Sequence, residues 1–197
     1  MLVVTAIYSV VTLTTLGSTK APQNPWKSSA YDECVYLDLG QHYDDFSMMY
    51  FCQVSYNNFA VAVSDDAAEA AWSEEYPAQM AEGMCFSWQY LDPSYAKSDG
   101  KTEFINANSF ADVQKLSGRY VRLNAKQVGL TVNELVFKDS QGNVIPGVTV
   151  IGRENGNDAS PNYSDPANLL DEQNSLDGEP SWWNSTYFDE IYHARTA

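Results

Sequence analysis

Residues 118–139 (GRYVRLNAKQVGLTVNELVFKD) hold runs in which apolar side chains alternate with their neighbours, and no other stretch constrains the fold as tightly. Val121, Leu123 and Ala125 fall on one side of an extended backbone, with Arg122 and Asn124 on the other; Leu135 and Phe137 then alternate against Glu134 and Val136. A period of two belongs to strands, because successive side chains on a pleated backbone point to opposite faces. The same alternation holds over residues 34–39, where Val35, Leu37 and Leu39 share a face until Gly40 ends the run. It returns at Phe59, Val61 and Val63. Residues 47–56 (SMMYFCQVSY) are more uniformly apolar, residues 84–91 read as a further strand, and residues 144–150 as another after a turn at 140–143. Asn57-Asn58 lies between two such runs and predicts a tight hairpin, since Asn tolerates positive φ. Many short strands separated by turn signals predict a mainly β chain, a sandwich or jelly roll rather than a parallel α/β sheet.

Charge narrows the partners. Eleven Lys and Arg against 26 Asp and Glu give a formal net charge of -15. Nucleic-acid binding draws most of its affinity from neutralising phosphates with basic side chains, so this chain is no nucleic-acid binder. Anionic lipid headgroups would repel it for the same reason. Neutral sugars, cations and other proteins remain. Cys34, Cys52 and Cys85 are far apart, without a CxxC pair, and an odd count makes at least one of them a small buried hydrophobe while leaving one bridge open.

Residues 2–16 (LVVTAIYSVVTLTTL) carry no charge. Spanning a bilayer takes about 20 apolar residues, and a signal peptide has a basic segment before its apolar core. A run that starts at Met1 with neither property reads as a truncated transmembrane helix over residues 2–18. A buried strand is the alternative, since Val, Thr and Tyr favour strands. The length of the run and the Pro- and Ser-bearing linker over residues 19–30 favour the helix, with Trp26 suited to a membrane interface. Residues 31–150 then form the β domain, in which the Ala- and Glu-rich stretch 65–84 reads as a loop with a helical turn anchored by Trp72. Residues 151–197 begin as a polar connector, solvated and pinned by Leu169-Leu170, and end in an aromatic-rich segment.

Two stretches resemble known families. YLDLG (36–40) and SGRYVRLNAKQVGLTVNELVFKD (117–139) resemble the first and last blocks of discoidin, or coagulation factor 5/8 C-type, domains. That resemblance implies a discoidin-like, galactose-binding-type jelly roll of eight strands, a fold whose members bind sugars, lipids or proteins through loops at one end. The acidic stretch 65–84 departs from the family pattern, so no loop site is carried over. YFDEIYHARTA (187–197) resembles the first extracytoplasmic loop of the protein O-mannosyltransferases and their bacterial relatives, the dolichyl-phosphate-mannose-protein mannosyltransferase family. Those enzymes use a polyprenyl-phosphate sugar donor and carry Phe-Asp-Glu in that loop, and some bacterial members hold a discoidin-like domain just before it. The implied protein is the N-terminal part of a cell-membrane glycosyltransferase with its β domain on the extracytoplasmic side, inactive as this fragment alone. A membrane-tethered carbohydrate- or protein-binding module without catalysis is the alternative.

Thr186 and Asp189 stand as T-x-x-D, a helix-start pattern that would put Asp189 and His193 on one face with Glu190 beside them. Glycosyl transfer to a hydroxyl needs a base for the acceptor and positive charge, from a metal ion or basic side chains, for the leaving phosphate. The resemblance assigns the acidic role to Asp189, as base or as ligand of a divalent metal ion, with Glu190 as neighbour and His193 tuning Asp189 or touching the donor phosphate. On spacing alone, the acidic pair simply favours a helix N-terminus. Trp182 and Trp183 would line an acceptor or sugar surface, or anchor the loop at the bilayer interface. Tyr56 and Asn58, at the expected hairpin tip, offer a sugar-binding surface against a plainer reading as turn and core. Asn162-Tyr163-Ser164 and Asn184-Ser185-Thr186 match the glycosylation acceptor pattern, which is short enough to arise by chance. The acidic residues Asp165, Asp171, Glu172, Asp177 and Glu179 lack EF-hand spacing and read as a solvated loop. His42 has no second metal-ligand partner in sequence and is given no role.

Overall fold

The computed structural model describes residues 2–15, 20–52, 58–68, 72–79, 88–91, 113 and 115–178. The chain opens with helix α1 (Leu2–Thr15), fourteen uncharged residues. At 1.5 Å per residue α1 is about 21 Å long. Its side chains at Val3, Val4, Ile7, Tyr8 and Val10 are 61–72% exposed. Among the described residues no helix is long and apolar enough to cross a membrane.

The rest of the described chain is mainly β, and its paired strands are antiparallel. In chain order the strands are β1 (Trp26–Lys27), β2 (Cys34–Phe51), β3 (Asn58–Ser64), β4 (Tyr76–Gln79), β5 (Trp88–Tyr90), β6 (Leu116–Ala125), β7 (Thr131–Val132), β8 (Glu134–Asp139) and β9 (Thr149–Glu154). β1 pairs with β7 in a small ribbon, and the other seven form one sheet organised around β2.

β2 explains the architecture. Instead of two strands broken at Gly40, it is one run of 18 residues whose halves have different neighbours. Residues 34–38 lie between β6 and β9, while residues 46–51 pair with β8 and the last three of them also with β5. The change of neighbours falls where the register with β6 shifts twice, after Asp38 and again after Tyr43. Gly40 takes φ 84°, open to a residue without Cβ, and its N–H donates to Asp38 Oδ1. Bulges of this kind bend a strand and let it turn out of one sheet plane. The uniform apolarity of residues 47–51 follows: Met48 and Tyr50 face the main core, and Met49 and Phe51 face a second cluster with Trp88, Tyr90, Val113 and Val136. Both faces of that half-strand are covered.

The main core is built as the alternation requires. Val35 and Leu37 of β2, Phe59 and Val61 of β3, Val121 and Leu123 of β6, and Leu135 and Phe137 of β8 share it. Several expectations are corrected. No hairpin joins β2 to β3, because β6 lies between them and sets Phe59, Val61 and Val63 opposite Ala125, Leu123 and Val121. The stretch 65–84, expected to be a loop with a helical turn, contains strand β4, which satisfies the free edge of β3 from Asn58 to Val61, while residues 69–71 and 80–84 lie outside the described residues. The last strand lies at Thr149–Glu154, since Gly147 turns the chain at φ 73° and Val144 makes only an isolated bridge to Lys138. Trp26 is not at a surface: it is 0% exposed within the core, because β1 docks on β7 and leaves the indole inside. The expected pin in the connector is present. Asp165 caps a short 3-10 helix, Pro166–Leu169, and Leu169 is fully buried in the same core. A second 3-10 turn, Gln173–Ser175, follows it.

Candidate functional site

The most built polar feature is the place where the chain enters and leaves the β domain. Segment 21–27 runs beside segment 164–173 and is tied to it along its length. The backbone N–H groups of Gln23 and Asn24 both donate to Glu172 Oε2, at 2.5 and 2.8 Å. Asn24 Nδ2 donates to Asp171 Oδ2 at 3.0 Å, Asn168 Nδ2 to the Pro25 carbonyl at 3.3 Å, and the Lys27 N–H to Ser164 Oγ. Side chains thus replace the ladder that two paired strands would have formed.

Glu134, the first residue of β8, lies beneath this junction with 0% exposure. One carboxyl oxygen accepts the Glu172 N–H at 2.6 Å, the other the side-chain amide of Gln173. Burial pushes the carboxyl up to about 8; the Asp171 and Glu172 carboxylates push the same way, and the two hydrogen bonds pull against them. Asn133, equally buried, donates from Nδ2 to the Pro22 carbonyl and so holds the incoming segment from the other side.

Two further clusters stand on the β domain. Trp72 acts as the anchor expected of it: its ring lies 5.6 Å from that of Tyr36 and under the Arg122 guanidinium at 5.2 Å. Three residues on, Glu75 accepts from Asn124 Nδ2 at 2.9 Å and pairs with Lys126 at 2.8 Å. At the bend of β2, His42 Nδ1 meets Asp65 Oδ1 at 2.5 Å and Nε2 meets Asp44 Oδ1 at 3.0 Å, and these two carboxylates raise the imidazole above its ordinary value. Sequence reasoning gave His42 no partner because Asp65 is 23 residues away and comes close only through the sheet register. Among the described residues no group of three His, Cys, Asp or Glu side chains could hold a metal ion. Cys34 and Cys52 are both buried, and burial pushes the Cys34 thiol up.

Of the residues singled out by sequence, Asp189, Glu190, His193, Trp182, Trp183 and Tyr56 lie outside the described residues. Asn58 is exposed, but it opens β3 in register with Gln79, and its carbonyl accepts the Lys126 N–H at 2.9 Å. It is a strand residue where a hairpin tip was expected. Asp165 and Asp171 are exposed, as a solvated loop requires, and with the half-buried Glu172 they also accept hydrogen bonds that order the connector. The junction itself gave no periodic signal, because its contacts run from side-chain carboxylates to backbone amides. Comparison with known protein families, with curated proteins and with solved structures finds no match to this chain.

Proposed function

We propose that this chain supplies the N-terminal membrane segment and the extracytoplasmic, discoidin-like jelly-roll domain of a membrane glycosyltransferase. That enzyme would move a mannose-like sugar from a polyprenyl-phosphate donor to protein hydroxyls. The observation that carries this reading is the tying of segment 21–27 to segment 164–173. A domain set into a loop between two membrane segments must return the chain to where it left, and domains with adjacent ends are the ones that tolerate such insertion. The exposed apolar side chains of α1, a few residues before the junction, support contact with a bilayer. The acidic balance supports a domain that stands off anionic headgroups and faces an acceptor protein or glycan.

The chemistry rests on the resemblance of residues 187–197. Asp189 would deprotonate the acceptor hydroxyl or hold a divalent metal ion against the departing phosphate, with Glu190 beside it and His193 within one helical turn. Trp182 and Trp183 would then border the sugar or the interface.

The test uses membranes from cells that make the full gene product, given a polyprenyl-phosphate mannose donor and an acceptor protein. Asp189→Asn should lower transfer by roughly a hundredfold or more while leaving the protein in the membrane fraction. Transfer at the wild-type rate would remove the enzymatic reading and leave a tethered binding module.

A further inference from the structure

Glu134 is a buried acid whose two oxygens accept from uncharged N–H groups, of Glu172 and Gln173. It is fully buried, and among the described residues no ion pair joins it to a basic group. The charged groups that face it, Asp171 and Glu172 of the connector, carry the same sign. Gln173 of the connector and Phe51 across the strand pair, both uncharged, also adjoin it. Lys138, on the same face of β8, is directed to Tyr90 Oη at 3.1 Å. Buried carboxylates without a cation are costly, and protonation or exposure relieves them.

The position of Glu134 gives that cost a mechanical outlet. It holds the backbone N–H of Glu172, and the side chain of Glu172 holds the backbone N–H groups of Gln23 and Asn24. One residue therefore links the buried acid to the incoming segment. Moving Glu172 away hydrates Glu134 and at the same step frees both amides.

We propose that Glu134, Glu172 and the Gln23–Asn24 amides form a pH-responsive clasp, tight while Glu134 carries its proton and progressively easier to open as it ionises. The device couples the pH around the β domain to how firmly its two ends are held together. It stands whether or not the parent protein is a transferase, since it depends on the junction alone.

The sign follows from linkage. The folded-state carboxyl titrates at about 8 against an ordinary value of 4.5, so its contribution to the closed clasp is complete below about 4.5 and is lost as pH rises through 8. Over that window the opening equilibrium should grow by up to about tenfold per pH unit and level off above pH 8.

The experiment is amide hydrogen exchange on the whole 197-residue chain in detergent micelles from pH 5 to 9, corrected for intrinsic exchange. Protection at Gln23, Asn24 and Glu172 should fall steeply to pH 8 and then flatten, while β6 amides keep theirs. In Glu134→Gln the same amides should show no pH dependence. Asp171→Asn, which leaves Glu134 and its hydrogen bonds in place, should bring the plateau to lower pH. Protection independent of pH in the wild type, or an unchanged slope in Glu134→Gln, would overturn the clasp. If Glu134→Gln does not fold, an unmoved plateau in Asp171→Asn does so instead.

Discussion

Glu33 and Glu134 are both fully enclosed carboxyl groups, yet they are held in opposite ways. Glu33 has its cation: Arg153 Nε donates to Oε1 at 2.6 Å, while Oε2 accepts the N–H and hydroxyl of Ser29 at 2.5 and 2.7 Å. Arg153 also donates to Ser29 Oγ at 2.9 Å and lies over the Tyr163 ring at 5.0 Å, so one guanidinium joins the turn before β2, the end of β9 and the following loop. Removing one partner of a buried pair leaves the other charge stranded, at a cost of about 3–5 kcal/mol. Arg153→Ala should lower unfolding free energy by that amount in urea titration, and Glu33→Gln by less, because a neutral amide still accepts from Arg153. A loss below about 1 kcal/mol for Arg153→Ala would mean that Glu33 is hydrated in solution.

At the scale of elements, β1 makes the sharpest prediction. It is two residues long, but Trp26 places a whole indole in the core between β7 and the Pro166–Leu169 turn. Trp26→Ala should cost about 3–5 kcal/mol, read from the same titration. A change near zero would return Trp26 to the bilayer interface, where its linker sequence suggested it belonged. Strands whose two faces differ were legible without coordinates: Val35 and Leu37, Phe59 and Val61, Val121 and Leu123 all point inward as their alternation requires. What stayed hidden depends on pairs distant in sequence. The continuity of β2 through Gly40 shows only once its halves have separate partners, and β4 exists because β3 had an edge to fill. The His42–Asp65 contact and the Glu172 contacts with Gln23 and Asn24 join polar residues 23 and about 149 positions apart, for which no period exists. Asp189, Glu190 and His193 entered through family resemblance, and no local pattern could have separated them from an ordinary helix start.

For the whole molecule, the junction divides the chain into a β domain and what lies on either side of it. Core strands and covered apolar faces stabilise the domain; the polar ties at residues 21–27 and 164–173 determine how its ends leave it. On the proposed function, the domain is an insertion whose removal spares the machinery around it. The measurement replaces residues 26–165 by a short Gly-Ser bridge in the full gene product, joining Pro25, whose carbonyl accepts from Asn168, to Pro166 at the start of the same 3-10 turn. This variant should still enter the membrane and still glycosylate a short peptide from a polyprenyl-phosphate sugar, while transfer to folded acceptor proteins drops by about tenfold or more. Loss of membrane insertion, or equal loss of transfer to peptide and protein, would contradict it.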